Sequence, residues 1–538
     1  MKNLKIQLML IIVFVNFASC ADFLEETPTT QLDGSKIYNT EVSALSALAG
    51  CYANMANAYG YHFYHVHTVS SGLGVSLKAI DLALTSMNIA TNDTHVNNMY
   101  SAFYKVINSA NDILEGVENA QLEEGTIKNK ILGEAYLARA ISYFNLVRSF
   151  GKVPLVTNVI TSYEGTGMPR SEVKDVYRLI ITDLTKAFEL LPEPGDQDMG
   201  RPHKYAAKAV LAKVYVTMAG TDDTSEYWQT AYDAALEVKK NGEYSLVRPF
   251  SNLFGRTNNN NKESIVEIQF NSAIRSNEIT TATIVKGWQE MTNVTSVSLW
   301  GKDRPTKYAF DRIDNNDPRK DVTFIHTSYT NILENDKLTL LYPSKKNDIP
   351  KSVFKKGDSE YASWKKYADP GYTSASSCNY VYMRYADLVL LLAEAANELG
   401  KKEDAVNYLN EILERARDVN GNGNIEEEEV YPLAISSSDY DRVSLRDRII
   451  NERLTELSGE GDEWFTIRRK GATFLKSIME EHNNVLNEVY PNGLAGTTYV
   501  YKFDTSDEDV RRNLLLPFPM DEIVRNGAIN EDEQNYGY

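Results

Sequence analysis

The sequence predicts a mainly α-helical protein, with tetratricopeptide-type helical hairpins as a scaffold and one long, loop-rich insert. Three observations carry this. Leu388, Leu391, Leu392, Ala395, Ala396 and Leu399 form one apolar stripe, which Gly400 ends. Ala405, Tyr408, Leu409, Ile412, Leu413 and Ala416 repeat the same offsets 17 residues further on. Two helices joined by a tight turn give a combined period of about 34 residues, that of the tetratricopeptide repeat. Third, helical periodicity breaks between about 241 and 380, a stretch too long for an idle connection.

The elements follow in order. An Ala- and Leu-rich helix is expected over 41–58, and long helices over 98–118 and 127–149. In the last, Ile131, Ala135, Ala138 and Ser142 line one face, and Gly151 ends it. Val153 to Val156 is a short extended piece. Helices over 171–190, 203–219 and 225–239 come next, the first stopped by Pro192 to Gly195. Val266 to Phe270 alternates like a strand. Residues 59–97 and 470–510 read as further irregular regions. The scaffold thus covers about 41–240 and 381–470, and the insert about 241–380.

Composition narrows the function. The 538 residues include 74 acidic and 56 basic side chains, a net charge of -18. That balance excludes general nucleic-acid binding, which needs a basic face. Three cysteines exclude a disulfide-built scaffold. Tyr occurs 33 times, more than Phe and Trp together. Such a surface suits hydroxyl-rich ligands, although Tyr also packs cores.

The first residues read as an export signal. Lys2 and Lys5 precede the apolar run Leu8 to Phe14, and Ala18-Ser19-Cys20 follows. A cysteine there is the acceptor for diacylglycerol in a bacterial lipoprotein. Residues 1–19 are then signal peptide. The mature chain of 519 residues, without Lys2 and Lys5, carries -20. The acidic, Thr/Pro-rich stretch to Thr30 reads as a tether. Neither Cys51 nor Cys378 is marked as a nucleophile.

With these elements in place, the sequence resembles the SusD/RagB family of outer-membrane nutrient-binding lipoproteins of Bacteroidota. The likeness rests on Ser19 to Leu24, Gly133 to Ala140, Tyr143 to Leu155, Ala206 to Val216 and Met383 to Leu388. It continues in Asn451-Glu452-Arg453, Glu460 to Phe465, Leu516 to Pro519 and Glu522-Ile523. The resemblance implies a single SusD-like domain over 20–538 and a lipid-anchored position at the cell outer membrane. It implies a SusC-like TonB-dependent transporter as partner, an oligosaccharide or polysaccharide as ligand, and no catalysis. Arg139, Arg148, Arg384 and Arg453 lie near acids such as Glu134, Asp387 and Glu456, and are expected to pair helix with helix. Trp464-Phe465 is expected to plug the core.

Ligand contacts are sought by chemistry, because sugars stack C–H faces on aromatic rings and pair hydroxyls with polar side chains. The insert offers Trp288, Trp300, Tyr308, Tyr361, Trp364, Tyr367 and Tyr372, with Asn293, Asp303 and Arg304 beside them. Tyr61 and Tyr64 belong to the cluster Tyr59 to His67, and Asn92, Asp93 and Asn97 lie beyond it. Trp228 reads as core. His62, His65 and His67, with His95, have metal-binding side chains. Their i, i+3, i+5 spacing shares no single helix or strand face, so a surface loop is expected.

No cofactor is required, but one loop fits a calcium pattern. Asp418, Asn420, Asn422, Gly423, Asn424, Ile425 and Glu429 occupy the defined positions of a twelve-residue EF-hand loop. Pro432 argues against a following helix, and the two Asn reduce the charge. A structural Ca²⁺ and a plain polar loop both stay open.

Carbohydrate capture is the leading function. A surface glycoside hydrolase is the first alternative, yet no pair of carboxylates is marked by a motif. G-x-S-x-G, H-E-x-x-H and phosphate-cradling loops are not found. A helical-repeat peptide-binding or structural adaptor is the second alternative.

Overall fold

The computed structural model describes residues 38–120, 122, 125–160, 167–284, 300–325, 329–334, 337–342, 362–372, 374–426, 430–489 and 501–538. Helix α1 spans Glu41–Ala58, with the Thr40 hydroxyl accepting from Ser43 N–H at its start. Helix α2 spans Tyr61–Val69. Helix α3, Thr94–Asn119, is capped by Asp93, which accepts from the N–H groups of His95 and Val96. Helix α4, Thr126–Phe150, ends at Gly151 in the left-handed region (φ +69°). Helices α5 (Val173–Leu190), α6 (Lys204–Ala219) and α7 (Tyr227–Asn241) follow.

The insert comes next, and it carries a short helix, α8, at Glu278–Thr283. The helical hairpin read from the 17-residue offset is α9 (Tyr385–Glu398) and α10 (Lys402–Arg417), with Gly400 at φ +74° in the turn. Helices α11 (Arg442–Glu456), α12 (Glu463–Arg469) and α13 (Gly471–Val489) complete the large elements.

The long helices pack mostly in chain order: α3 on α4, α4 on α5, α5 on α6 and α6 on α7, with α1 against α3. Helix α7 then packs on α9, so the array continues across the insert. The expected strand is β2 (Ser264–Ile268). It pairs antiparallel with β4 (Tyr380–Arg384), joining Ile268, within the first part of the insert, to Tyr380 at its end. Strand β1 (Gly74–Ser76) pairs with β3 (Asp303–Pro305).

Two expectations are corrected. The region 59–97 contains α2, which is buried on nearly every side. Burial all round leaves no polar face and so no amphipathic signature. The region 470–510 contains α13, whose Leu475, Ile478, Met479, His482 and Leu486 are buried at helical spacing.

Two large apolar clusters form most of the core among the described residues, beside a small one of Val247, Phe250 and Leu253. The larger joins the helical array with Trp464 and Phe465, as expected of that pair. The second joins insert residues Tyr308, Phe324 and Trp364 to Leu454, Ile467, Leu475 and Met479 of α11 to α13. Gly459 (φ +79°) lies flat on Trp364. A Cβ at this position would stand 2.7 Å from the indole ring.

Buried charges tie these parts together. Arg384 meets Glu263 at 2.8 Å, Glu456 at 2.6 Å and Glu460 at 2.8 Å, all buried. Arg415 also meets Glu263 and Glu456, and Arg319 meets Asp317, Glu452 and Glu456. Arg453 and Lys213 share Asp387 and Asp462. Isolated charges would be costly at this depth, and mutual pairing removes most of that cost. Arg148 instead lies between the rings of Phe144 and Phe465, 3.9 and 3.7 Å from their centroids.

Candidate functional site

Of the tryptophans among the described residues, Trp300 alone has an exposed ring, at 44%. Backbone contacts hold it in place. Trp300 N–H donates to Thr281 O and Lys302 N–H to Ala282 O, both at 2.8 Å, fixing the segment against α8. The indole stands edge-on to Tyr61 at the start of α2, with centroids 5.6 Å apart. Tyr61 in turn lies 4.7 Å from the His65 ring and 5.5 Å from that of His95.

Polar groups surround this aromatic ledge. His62 Nδ1 is 2.8 Å from His95 Nδ1, and Asn98 Nδ2 is 3.4 Å from His62 Nε2. The Arg275 guanidinium approaches the α2 N-terminus, 3.5 Å from where a Gly60 Cβ would stand. The Tyr61 hydroxyl is buried without a hydrogen-bond partner among the described residues. Burial, and then the nearby carboxylate of Asp303, push its ionisation far up, so it stays a donor. Burial lowers His62 to about 4, with His95 adding to the effect. A stacking surface ringed by Arg, His and Asn is chemistry suited to a hydroxylated ligand.

The sequence candidates divide three ways. Trp300 and Tyr61 come together. Arg304 is half-buried on β3, its Nε donating to Gly301 O at 2.9 Å. Three candidates are corrected to core positions. Trp364 is 1% exposed and packs on Phe324. Tyr367 is buried and stacks on Tyr380 at 5.7 Å. Tyr64 is fully buried and donates to Gly459 O at 3.3 Å. Tyr308 and Tyr372 are buried too, and Asp303 accepts from His65. Their type suited a ligand, but type does not reveal which side of the chain faces inward. Trp228 is core, as expected. Cys20, Trp288, Asn293 and Tyr361 lie outside the described residues.

The histidine expectation is also corrected. His62 and His65 are one turn apart on α2, not in a surface loop, and His95 comes to them from α3. His67 points elsewhere, with Nε2 3.0 Å from Ser149 Oγ. Arg275 was missed, since nothing in its short turn marks it.

The described part of the calcium-like loop, 418–426, curls as its glycines suggest, with Gly423 at φ +80° and its N–H donating to Asp418 Oδ2. That same oxygen accepts from Arg248 at 2.9 Å, so a guanidinium already serves the first position. Asn420 and Asn422 donate to Glu426, and Asn424 N–H donates to Asn422. Glu429 lies outside the described residues.

A separate cavity of about 350 Å³ is lined by Tyr52, Glu134, Arg201, His203, Tyr244 and Glu267, among others. Several of its polar groups serve one another. Tyr52 and Arg201 both donate to Glu134, at 2.5 and 2.8 Å.

Comparison with known proteins decides the family. Residues 220–538, more than half of the chain, match the family model described as "SusD family". Residues 22–216 match a second, "Starch-binding associating with outer membrane". The chain belongs to the SusD family. This family provides surface glycan-binding components of Bacteroidota. This SusD-family chain is similar to SusD-like protein P2 of Formosa agariphila, with 28% identity over 99% of this chain and 100% of that one. Its fold is similar to a SusD homolog of Bacteroides thetaiotaomicron, with TM-score 0.75 and 22% identity over 95% of this chain and 99% of that one. It is also similar to a laminarin-binding SusD-like protein, with TM-score 0.68 and 21% identity over 93% of this chain and all of that one.

Proposed function

We propose that this SusD-family protein captures oligosaccharide or polysaccharide at the cell surface and passes it to a SusC-like TonB-dependent transporter. The observation that carries the ligand class is the exposed Trp300 ring, backed by Tyr61 and flanked by His62, Asn98 and Arg275. The indole supplies a stacking face, and the flanking groups supply donors and acceptors for hydroxyls. The kinship with a laminarin-binding protein supports a glucan as the first probe.

In this reading residues 20–538 form one domain anchored through a lipidated Cys20. One acyl chain holds a protein weakly and more chains hold it firmly, so diacylglycerol plus a further acyl group gives a stable anchor. The role is capture without cleavage.

Affinity electrophoresis against laminarin, xyloglucan, xylan, pectin and starch tests the proposal. Retardation by at least one, with polymer length unchanged, is the expected result. Shortened products would turn the reading to a hydrolase, and no retardation by any glycan would turn it to the adaptor. Radiolabelled palmitate should enter the wild type and not Cys20→Ala.

A further inference from the structure

Beneath the aromatic ledge, His65, Asp81 and His95 bring three metal-ligating side chains together. Their donor atoms lie within 4.8 Å of one another. His65 Nε2 is 3.4 Å from Asp81 Oδ2, and His95 Nε2 is 3.4 Å from Asp81 Oδ1. These separations are long for hydrogen bonds. Zinc bonds of about 2.0–2.1 Å at tetrahedral angles place neighbouring donors about 3.4 Å apart, the separation of His95 Nε2 from Asp81 Oδ1.

A second observation points the same way. His65 Nε2 and Asp81 Oδ1 are buried and have no hydrogen-bond partner among the described residues. Both side chains are fully buried. Orphaned polar atoms at this depth are costly, and a shared ion would satisfy both.

The surroundings already hold the ligands in orientation. His65 Nδ1 bonds Asp303 Oδ2 at 2.8 Å, the carboxylate–histidine arrangement that fixes a metal-binding tautomer. Ser76 Oγ and Lys302 Nζ donate to Asp81 Oδ2 at 2.7 and 2.8 Å, which leaves Oδ1 bare. His95 meets His62 through Nδ1, so its Nε2 is the nitrogen left for an ion. Asp81 and Asp303 together outnumber the ammonium of Lys302, leaving net negative charge for a cation.

We propose that His65, Asp81 and His95 form a binding site for a divalent first-row transition ion, with zinc, which takes imidazole and carboxylate ligands, as the first candidate. Three protein ligands leave a fourth position for water or a ligand oxygen. The ion would lie under Tyr61 and stiffen the ring on which Trp300 rests. The proposal stands on this geometry alone, whether or not the ledge binds glycan.

The test uses the purified full chain without a polyhistidine tag, stripped with a chelator and titrated with zinc against a chromophoric indicator. One zinc per chain is expected, with a rise in Tm on addition and visible bands of tetrahedral cobalt when Co²⁺ replaces it. His95→Gln, whose side chain is 18% exposed, should fold and lose affinity at least a hundredfold. Asp81→Asn should do the same, checked by circular dichroism. X-ray absorption on the wild type, which needs no variant, should show two imidazole nitrogens on the metal. A wild type that takes up no zinc would overturn the site, leaving His65 as a simple bridge between two carboxylates. Equal binding by His95→Gln and wild type would overturn it too.

Discussion

Arg139 and Asp183 clasp one another across α4 and α5. Nε meets Oδ2 and Nη2 meets Oδ1, both at 2.8 Å, with both residues buried. The planar guanidinium matches the carboxylate in two places, so the pair fixes helix register as well as contact. Arg139→Leu strands a buried carboxylate and should cost about 3–5 kcal/mol in urea unfolding. Arg139→Leu/Asp183→Leu removes both charges and should recover most of that loss. A double variant as unstable as the single one would mean that the pair is not the source.

Two tryptophans should behave in opposite ways. Trp300→Ala removes an exposed ring and should leave Tm nearly unchanged. Glycan affinity should fall by about 1–2 kcal/mol, roughly five- to thirtyfold. Trp364→Ala empties a core position and should cost about 3–5 kcal/mol of stability. Calorimetric titration beside thermal melts separates them, and unchanged affinity in Trp300→Ala would remove the ledge from the binding site.

Gly459→Ala puts a methyl where the Trp364 ring already stands, at a left-handed backbone position. Strain and overpacking together should cost roughly 2–5 kcal/mol. Gly255→Ala, also at positive φ but in open space, should cost less. Equal losses would show that backbone strain alone decides.

Acid should weaken the fold before the carboxylates titrate. Burial of His482, whose Nε2 donates to Tyr501 O at 3.1 Å, lowers its pKa to about 4. The unfolded chain takes up that proton near pH 6.5, and the native one does not. Stability present above pH 6.5 is therefore lost as pH falls toward 4, by about 2 kcal/mol at pH 5. Glu394 acts lower. Burial opposes its charge, but Arg469 and Lys470 hold it down to about 2, so its contribution is lost only below about 4.5. His482→Gln should flatten the fall between pH 7.5 and pH 5, read as urea midpoints. An undiminished fall would assign it to other groups.

The helical scaffold was legible because amphipathic helices print their period in the sequence. The α9–α10 offset and the bounds of α1 were readable to within a few residues. Helix α2 was not, because a segment buried on all sides has no polar face to set the period. Pairing was legible in kind and less so in partner. Arg139 was expected to pair with an acid of a neighbouring helix, and it takes Asp183, an acid the sequence did not single out, while Glu134 takes Arg201. Sequence separation does not show which helix lies opposite. Residue type selected Trp300 and Tyr61, whose rings meet in the fold. The same rule selected Trp364, Tyr367 and Tyr64, because aromatic rings serve a sugar and a core equally well. The spacing of His62, His65 and His67 argued for a surface loop, and nothing in it points to Asp81, which meets His65 and His95 only in the fold.

The hydrogen-bonded meeting of Ile268 with Tyr380 has a consequence for divergence. Chain that leaves the helical array returns to the point of departure. Lengthening such a closed excursion costs little, about 0.6 kcal/mol for each doubling. Trp364 and Tyr367 pin part of the excursion into the core, so those positions resist change. Tyr308 and Phe324 pin another part, and Arg319 reaches Glu452 and Glu456. The excursion is thus tied to the frame at several points, and only the chain between those ties can lengthen at that low cost.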